Sequence, residues 1–239
     1  MQAMIFAAGK GTRLKPLTDV IPKALVPVDD VPLIQRVMQK IVDSGATRVI
    51  VNVHHHARQL ENYLALLQMK FPYVEILISD ESSSLLETGG GIKHARKLFT
   101  NDFSIPVLIH NCDILSNVNL ADFYSCHQGD ATLLVSQRET QRYLCFDNDM
   151  RLVGWTNIAT GEVKGTKTDN LYAFSGIHII SQQLMQRMDS YPDIFPIMDF
   201  YLHECATADI RGYLNPDLRL LDVGKIDTLE KATEFLCKK

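Results

Sequence analysis

The residues best suited to chemistry lie between Ala8 and Lys23. Gly9-Lys10-Gly11-Thr12-Arg13 sets two glycines one residue apart, which lets a backbone turn sharply and bring its N–H groups to an anion. Lys10, Arg13, Lys15 and Lys23 fall within fourteen residues, and the only acid among them is Asp19. Pro16, Pro22 and Pro27 make this stretch an ordered, non-helical loop. An arginine fork can hold phosphate oxygens in pairs, and a lysine offers a point charge to a second phosphate. Arg13 and Lys23 are assigned that chemistry, while Lys15 reads equally well as a solvated cation. The loop is not a G-x-x-x-x-G-K-[ST] element, and Leu14 stands where a dinucleotide fingerprint has its third glycine. Taken alone, this G-x-G serves a phosphate loop or a tight turn equally.

Three further stretches have candidate chemistry. Leu86-Glu87-Thr88-Gly89-Gly90-Gly91 precedes a helical pattern expected from about Ile92. Its glycines would allow a flat base or sugar to approach the backbone, or would simply loosen the helix entry. Asn111-Cys112-Asp113 follows an apolar run, where an aspartate can be a turn residue or a ligand. Leu221-Asp222-Val223-Gly224 offers a second carboxylate that no spacing argument can pair with Asp113. Asp80 and Glu81 could orient hydroxyls, and loop solvation explains them as well. His54-His55-His56 is not expected to bind metal, because three consecutive side chains diverge. Trp155 is assigned to packing rather than to a sugar platform.

These residues need elements to hold them. Ala3–Ala8, Arg48–Val53, Val74–Ser79 and Pro106–His110 are compact apolar runs expected as buried strands. Between them, Pro32–Ser44, Ala57–Met69 and Ile92–Phe99 carry helical patterns, the first with Pro32 at its start and Gly45 at its end. Strand, helix, strand at this cadence predicts an α/β, doubly wound, mostly parallel sheet with helices on both faces. The loops after Ala8, Ser79 and His110 should then share the rim where such sheets bind ligands. The second half reads as a strand at Thr132–Gln137, a hairpin over Tyr143–Trp155 turning at Asn148-Asp149, and a strand at Phe174–Ile180. A helix from about Gln182, a strand near Leu218–Val223 and a helix over Thr228–Cys237 complete it. No linker or repeat divides the chain, so one domain over 1–239 with two lobes is expected.

Composition limits the partners. A net charge of −4 provides no global field for nucleic acid, so phosphate chemistry must rest on a local cation cluster. The five cysteines include no C-x-x-C pair, which argues against a disulfide framework or structural zinc and suits a reducing, cytoplasmic location. No basic segment followed by an apolar run marks a secretory leader. No apolar run approaches the ~20 residues that would cross a bilayer, so no membrane partner is expected.

The ordered run Ala7-Ala8-Gly9-Lys10-Gly11-Thr12-Arg13-Leu14, then Pro16-Leu17-Thr18 and Pro22-Lys23-Ala24-Leu25-Val26-Pro27-Val28, resembles the signature of the sugar-1-phosphate nucleotidylyltransferases. That resemblance implies a Rossmann-like fold with a small β-rich sugar-binding lobe, nucleotide binding mainly by 1–110 and sugar-phosphate binding mainly by 111–239. It implies that Ala8, Gly9, Gly11, Thr12 and Arg13 wrap a nucleoside triphosphate, and that Glu87, Thr88 and Gly89 meet its base and ribose. Lys23, Asn111 and Gly176 would meet a sugar 1-phosphate, Asp113 and Asp222 would hold Mg²⁺, and Arg13 and Lys23 would be catalytic. Cys112 departs from a usual glycine and Lys225 from a usual threonine. Within the family the chain most resembles the UTP-dependent N-acetylmuramate 1-phosphate uridylyltransferases. Mannose- and heptose-1-phosphate guanylyltransferases are the nearest rivals, and phosphocholine cytidylyltransferases are more distant. A non-catalytic sensor of nucleotide sugars is the alternative of another class. Oligomeric state is left open.

Overall fold

The computed structural model describes residues 1–237. Its first half is an alternation of strands and helices. β1 (Gln2–Phe6) leads through the cation-rich loop, with 3₁₀ turns at Thr12–Leu14, Leu17–Asp19 and Lys23–Leu25, to the short hairpin β2 (Pro27–Val28) and β3 (Val31–Pro32). Then follow α1 (Leu33–Asp43), β4 (Arg48–Val53), α2 (Ala57–Lys70), β5 (Glu75–Asp80), α3 (Glu87–Ala95) and β6 (Val107–Asn111). The second half comprises β7 (Ile114–Ser116), α4 (Leu120–Ser125), β8 (Ala131–Ser136), β9 (Arg142–Phe146), β10 (Leu152–Asn157), β11 (Glu162–Gly165) and β12 (Asn170–Ile180). It ends with α5 (Gln182–Gln186), α6 (Ile197–Glu204), β13 (Ile210–Leu214), β14 (Leu220–Asp222) and α7 (Ile226–Cys237).

A ten-stranded sheet runs β11-β10-β9-β12-β6-β1-β4-β5, with β8 also on β12 and β13 on β8. The pairs β6/β1, β1/β4 and β4/β5 are parallel, as the alternating pattern predicts. Beyond β6 the sheet turns antiparallel through β12, β9, β10 and β11, with β8/β13 parallel. β12 serves both halves. Its segment Ile177–Ile180 pairs with β6, and Asn170–Tyr172 pairs with β9. The two halves therefore share one hydrogen-bonded sheet.

Side-chain alternation along β1 explains the double layer. Ala3 and Ile5 face a core built with Ile34, Met38 and Ile41 of α1 and Leu60, Leu64 and Leu67 of α2. Met4 faces the other core, with Ile92 of α3, Leu184 of α5 and Phe200 of α6. The stripe Leu33, Ile34, Val37, Met38, Ile41 is fully buried, at the spacing of one helical face. A third cluster joins Leu14 of the cation-rich loop to Leu115, Val223 and Ala232, so α7 and β7 anchor that loop from behind.

The strands foreseen in the first half fall within a residue or two of their expected limits. α3 differs: it starts at Glu87, and the three glycines lie inside it rather than before it. The pattern expected from Gln182 is split into α5, a 3₁₀ turn at Arg187–Ser190 and, after a proline-containing loop, α6. β11, β13, β7 and α4 carried too short or too polar a pattern to be read.

Candidate active site

The loops after β1, β5 and β6 do meet at one rim, joined there by Asn52 of β4. They line a cleft of about 220 Å³ with Ala8, Gly9, Lys23, Asn52, Glu81, Thr88 and Asp113 among its walls. The loop after β1 is held from beneath by one side chain. The Asn52 carboxamide oxygen accepts from the backbone N–H of Ala7 at 2.6 Å and of Ala8 at 3.2 Å. The Asn52 amide nitrogen donates to Glu81 Oε1 at 2.7 Å, and the Leu86 N–H donates to Glu81 Oε2 at 3.3 Å. Burial raises the Glu81 carboxyl above its ordinary value, and the Asn52 hydrogen bond opposes that rise.

Gly11 turns the loop with φ 63°, in the left-handed region. A Cβ there would lie 2.8 Å from Thr18 Cγ2 and 3.0 Å from Lys23 Cβ. The Thr18 hydroxyl donates to the Gly11 carbonyl at 2.8 Å. Gly11 is thus the point where the two ends of the cation-rich loop touch, which brings Arg13 and Lys23 to one side of it. Lys15 instead pairs with Asp19 at 2.8 Å on the surface, so it is the solvated cation of the group.

Lys23 forms an ion pair with Asp113, both side chains largely withdrawn from solvent. Asp222 reaches the same place from the far end of the chain. β7 and β14 are antiparallel with Asp222 opposite Ile114, and the Val223 N–H donates to the Asp113 carbonyl at 2.8 Å. A Cβ at Gly224 would lie 2.6 Å from Asp222 Oδ1 and 2.8 Å from Arg13 Nη2, which locates the Arg13 guanidinium beside Asp222. Loss of hydration raises the Asp222 carboxyl, the Asp113 carboxylate raises it further, and Lys23, Arg13 and Arg138 pull it back. Two mutually repelling carboxylates with partial compensation from cations suit a small divalent ion that takes few protein ligands and completes its shell with phosphate oxygens.

Asn111 and Gly176 face each other across β6 and β12. Gly176 has φ 75° at an irregularity in β12, and a Cβ there would come 2.7 Å from the Asn111 side-chain nitrogen. The glycine makes room for the amide that lines the cleft. Cys112 packs into the first core and also forms part of the cleft wall. Burial and then the Asp113 charge push its thiol up to about 12, so it is an inert core residue that leaves Asp113 in place. Lys225 is at the entry to α7, where its N–H meets the Thr228 hydroxyl at 3.2 Å. Thr12 is exposed on the loop and is absent from the cleft lining.

The glycine-rich stretch works differently from the expectation. Glu87 lines the cleft at φ 63°, and Thr88 lines it while its hydroxyl accepts from the Ile197 N–H at 2.9 Å. The N–H groups of Gly89 and Gly90 both donate to the Phe195 carbonyl, at 2.8 and 3.1 Å. A Cβ on Gly89 would collide with the Phe195 ring, and one on Gly90 with the Asp193 carbonyl. Gly89 is therefore spent on docking the segment before α6 and does not line the cleft. His54 and His55 diverge, one to the Glu81 carbonyl at 2.7 Å and the other to the Thr18 carbonyl at 3.3 Å. Among the described residues no three His, Cys, Asp or Glu side chains converge as a metal site.

Asn52 in the cleft wall and Arg138 near Asp222 had no assignment from sequence. Asn52 was signalled only as the lone amide in the apolar run RVIVNV. Arg138 carried no signal, and it comes near Asp222 only because β8 leads it there.

A family model described as nucleotidyl transferase matches residues 2–143. An N-acetylmuramate alpha-1-phosphate uridylyltransferase from Caulobacter vibrioides is 43% identical over 111 residues, which is 46% of this chain and 45% of the relative. A mannose-1-phosphate guanyltransferase from Gibberella zeae is 31% identical over 142 residues, 58% of this chain and 38% of the relative. The matched part of the chain thus spans less than half the length of either relative. A solved structure of a putative glucose-1-phosphate thymidylyltransferase from Bacillus anthracis superposes with a TM-score of 0.81 at 16% identity, covering 100% of this chain and 96% of the other. That likeness establishes a shared fold. Among the described residues no helix is long and apolar enough to cross a membrane.

Proposed function

The chain belongs to the nucleotidyl transferase family, and on that premise we propose that it joins a nucleoside triphosphate to a sugar 1-phosphate with release of pyrophosphate. One observation carries the reading: Arg13, Lys23, Asp113 and Asp222, from three distant parts of the chain, come together beside the cleft, which Lys23 and Asp113 line. The pair we favour is UTP with N-acetylmuramate 1-phosphate, supported by the Caulobacter relative's identity. GTP with mannose 1-phosphate is the second reading, supported by the Gibberella relative.

An oxygen of the sugar phosphate is already anionic near neutral pH and can serve as the nucleophile without a protein base. It attacks the α-phosphorus in line. The new P–O bond forms as the bond to the bridging oxygen breaks, and that oxygen leaves with the electron pair on pyrophosphate. The protein's task is to hold two repelling anions together and to stabilise the transferring charge. The loop turned at Gly11 would receive the triphosphate, Arg13 would neutralise the departing pyrophosphate, and Lys23 would stand at the reacting phosphate. Glu87 and Thr88 would border the base and ribose, and Asn111 beside Gly176 the sugar phosphate. Asp113 and Asp222 would hold Mg²⁺, which when bound would supply positive charge to the reacting phosphate.

Pyrophosphate release, measured with UTP, GTP, CTP and dTTP against several sugar 1-phosphates in the presence of Mg²⁺, tests the reading. The favoured pair should give the highest kcat/KM. Release with GTP and mannose 1-phosphate alone would replace it with the second reading. No release with any pair would overturn the catalytic reading and favour a non-catalytic sensor of nucleotide sugars.

A further inference from the structure

Away from the cleft, a second cavity of about 320 Å³ opens between α1, the end of α2 and β7, a volume in the range of small-ligand sites. Its lining includes Arg36 and Lys40 of α1, Lys70 at the end of α2, Ile114 and Ser116 of β7, and Leu236 of α7. Three cations line it, and no carboxylate does. None of the three forms an ion pair among the described residues.

Their other bonds fix two of them in position. Arg36 donates through Nη2 to the Val28 carbonyl at 2.5 Å and through Nε to the same oxygen at 3.2 Å. The Lys40 ammonium donates to the Ser116 carbonyl at 2.5 Å and lies 3.3 Å from the Ser116 hydroxyl. Burial without a counter-charge lowers Lys40 to about 8. A cation held in that way is costly, and a bound anion would relieve the cost. Lys70, exposed at the rim with its ammonium 5.5 Å from the Phe71 ring, adds charge at the entrance.

We propose that this cavity binds a small phosphorylated anion and that its occupancy regulates turnover through β7. Charge-assisted bonds to phosphate oxygens would come from Lys40 and Arg36, with Lys70 attracting the ligand. The route to the active cleft is short and covalent. Ser116, which holds Lys40, is three residues after Asp113, and β7 pairs with β14, whose last residue is Asp222. Reseating Ser116 would therefore move β7, which directly follows Asp113 and pairs with the strand that ends at Asp222.

The binding arm of the test does not depend on turnover. In the full chain with ¹³C-labelled lysine, the Lys40 resonance is assigned by its loss in Lys40→Gln and titrated with inorganic phosphate or glycerol 3-phosphate. Phosphate should raise the pH at which Lys40 loses its proton. Affinity for the same anions, read by isothermal titration calorimetry, should fall at least about tenfold in Lys40→Gln, and less in Lys70→Gln, a surface change that leaves the fold intact. Tighter binding of glycerol 3-phosphate would assign the site to a phosphorylated metabolite, and equal binding to free phosphate. The kinetic arm follows pyrophosphate release as either anion is added. The rate should change in the parent and respond less in both variants. An unshifted Lys40 overturns the site, and inhibition that persists equally in both variants places the anion in the active cleft and overturns the regulation.

Discussion

Lys23 and Lys15 have the same side chain and lie eight positions apart in one loop, yet their surroundings differ sharply. Lys15 meets Asp19 in solvent, a contact of the kind that contributes little. Lys23 meets Asp113 where solvent is largely excluded and where a second carboxylate and Arg13 are close by. Electrostatic groups count for more in such a place, and removing one preorganised donor typically costs about 10²-fold or more. Lys23→Ala should therefore lower kcat by at least about 10²-fold, whereas Lys15→Ala should leave it within about twofold, measured as steady-state pyrophosphate release. Equal effects of the two would dissolve the assignment. At this scale the sequence made the loop legible because glycines and cations were dense and ordered. It left Asn52 and Arg138 illegible, since nothing local marks an amide in an apolar strand as the support of two N–H groups on another strand's loop.

At the scale of elements, α3 teaches most. Its glycines read naturally as room for a ligand, but two of them make room for the segment at Asp193–Phe195 of the protein itself. Replacing Gly90 with alanine would gain about 1 kcal/mol of helix propensity. The added methyl would also strike a backbone carbonyl, and overpacking of a site that cannot yield costs about 1–3 kcal/mol or more. The clash should win, and Gly90→Ala should lower the urea midpoint. A Cβ at Gly9 meets nothing within 4 Å, so Gly9→Ala should leave that midpoint within about 0.5 kcal/mol in stability and change turnover only. A stabilised Gly90→Ala would mean that α3 and the Asp193 segment are not docked as described. The sequence pattern places the start of α3 too late for the same reason: glycine runs oppose helix locally, and only packing against α6 and its approach makes one helical here.

The molecule is built on one ten-stranded mixed sheet with a core on each face, and a buried histidine lies in each core. Ile177, opposite His110, belongs to the first core, and Ile109, opposite His178, belongs to the second. His110 donates through Nδ1–H to the Asn111 carbonyl at 2.8 Å, and burial lowers it to about 4. His178 packs between Phe174 and Tyr201, and burial lowers it to about 3. Both are neutral when folded, while the unfolded chain protonates them near 6.5. Their contribution to stability is complete above that pH and is lost as pH falls from about 6.5 toward 4 and 3, because the unfolded state binds more protons. Each can add a slope of up to about 1.4 kcal/mol per pH unit. Urea unfolding between pH 7 and 4.5 should show an acid loss that is shallower in His178→Phe. Parallel curves for parent and variant would mean that His178 is not held neutral.

The amino-acid sequence by itself determined the parallel half of the sheet, because apolar runs and helical stripes are local patterns. It determined the loop from Ala8 to Lys23 for the same reason, since one short segment holds its glycines, its prolines and its cations. What it could not determine was which residues share a point in space across long stretches of chain. The meeting of Asp113 with Asp222 depends on β7 pairing with β14, and the support of the loop by Asn52 depends on β4 lying beside β1. The use of Gly89 for docking depends on where α6 comes to rest. Each of these is a contact between distant segments, and tertiary packing alone sets which segments become neighbours.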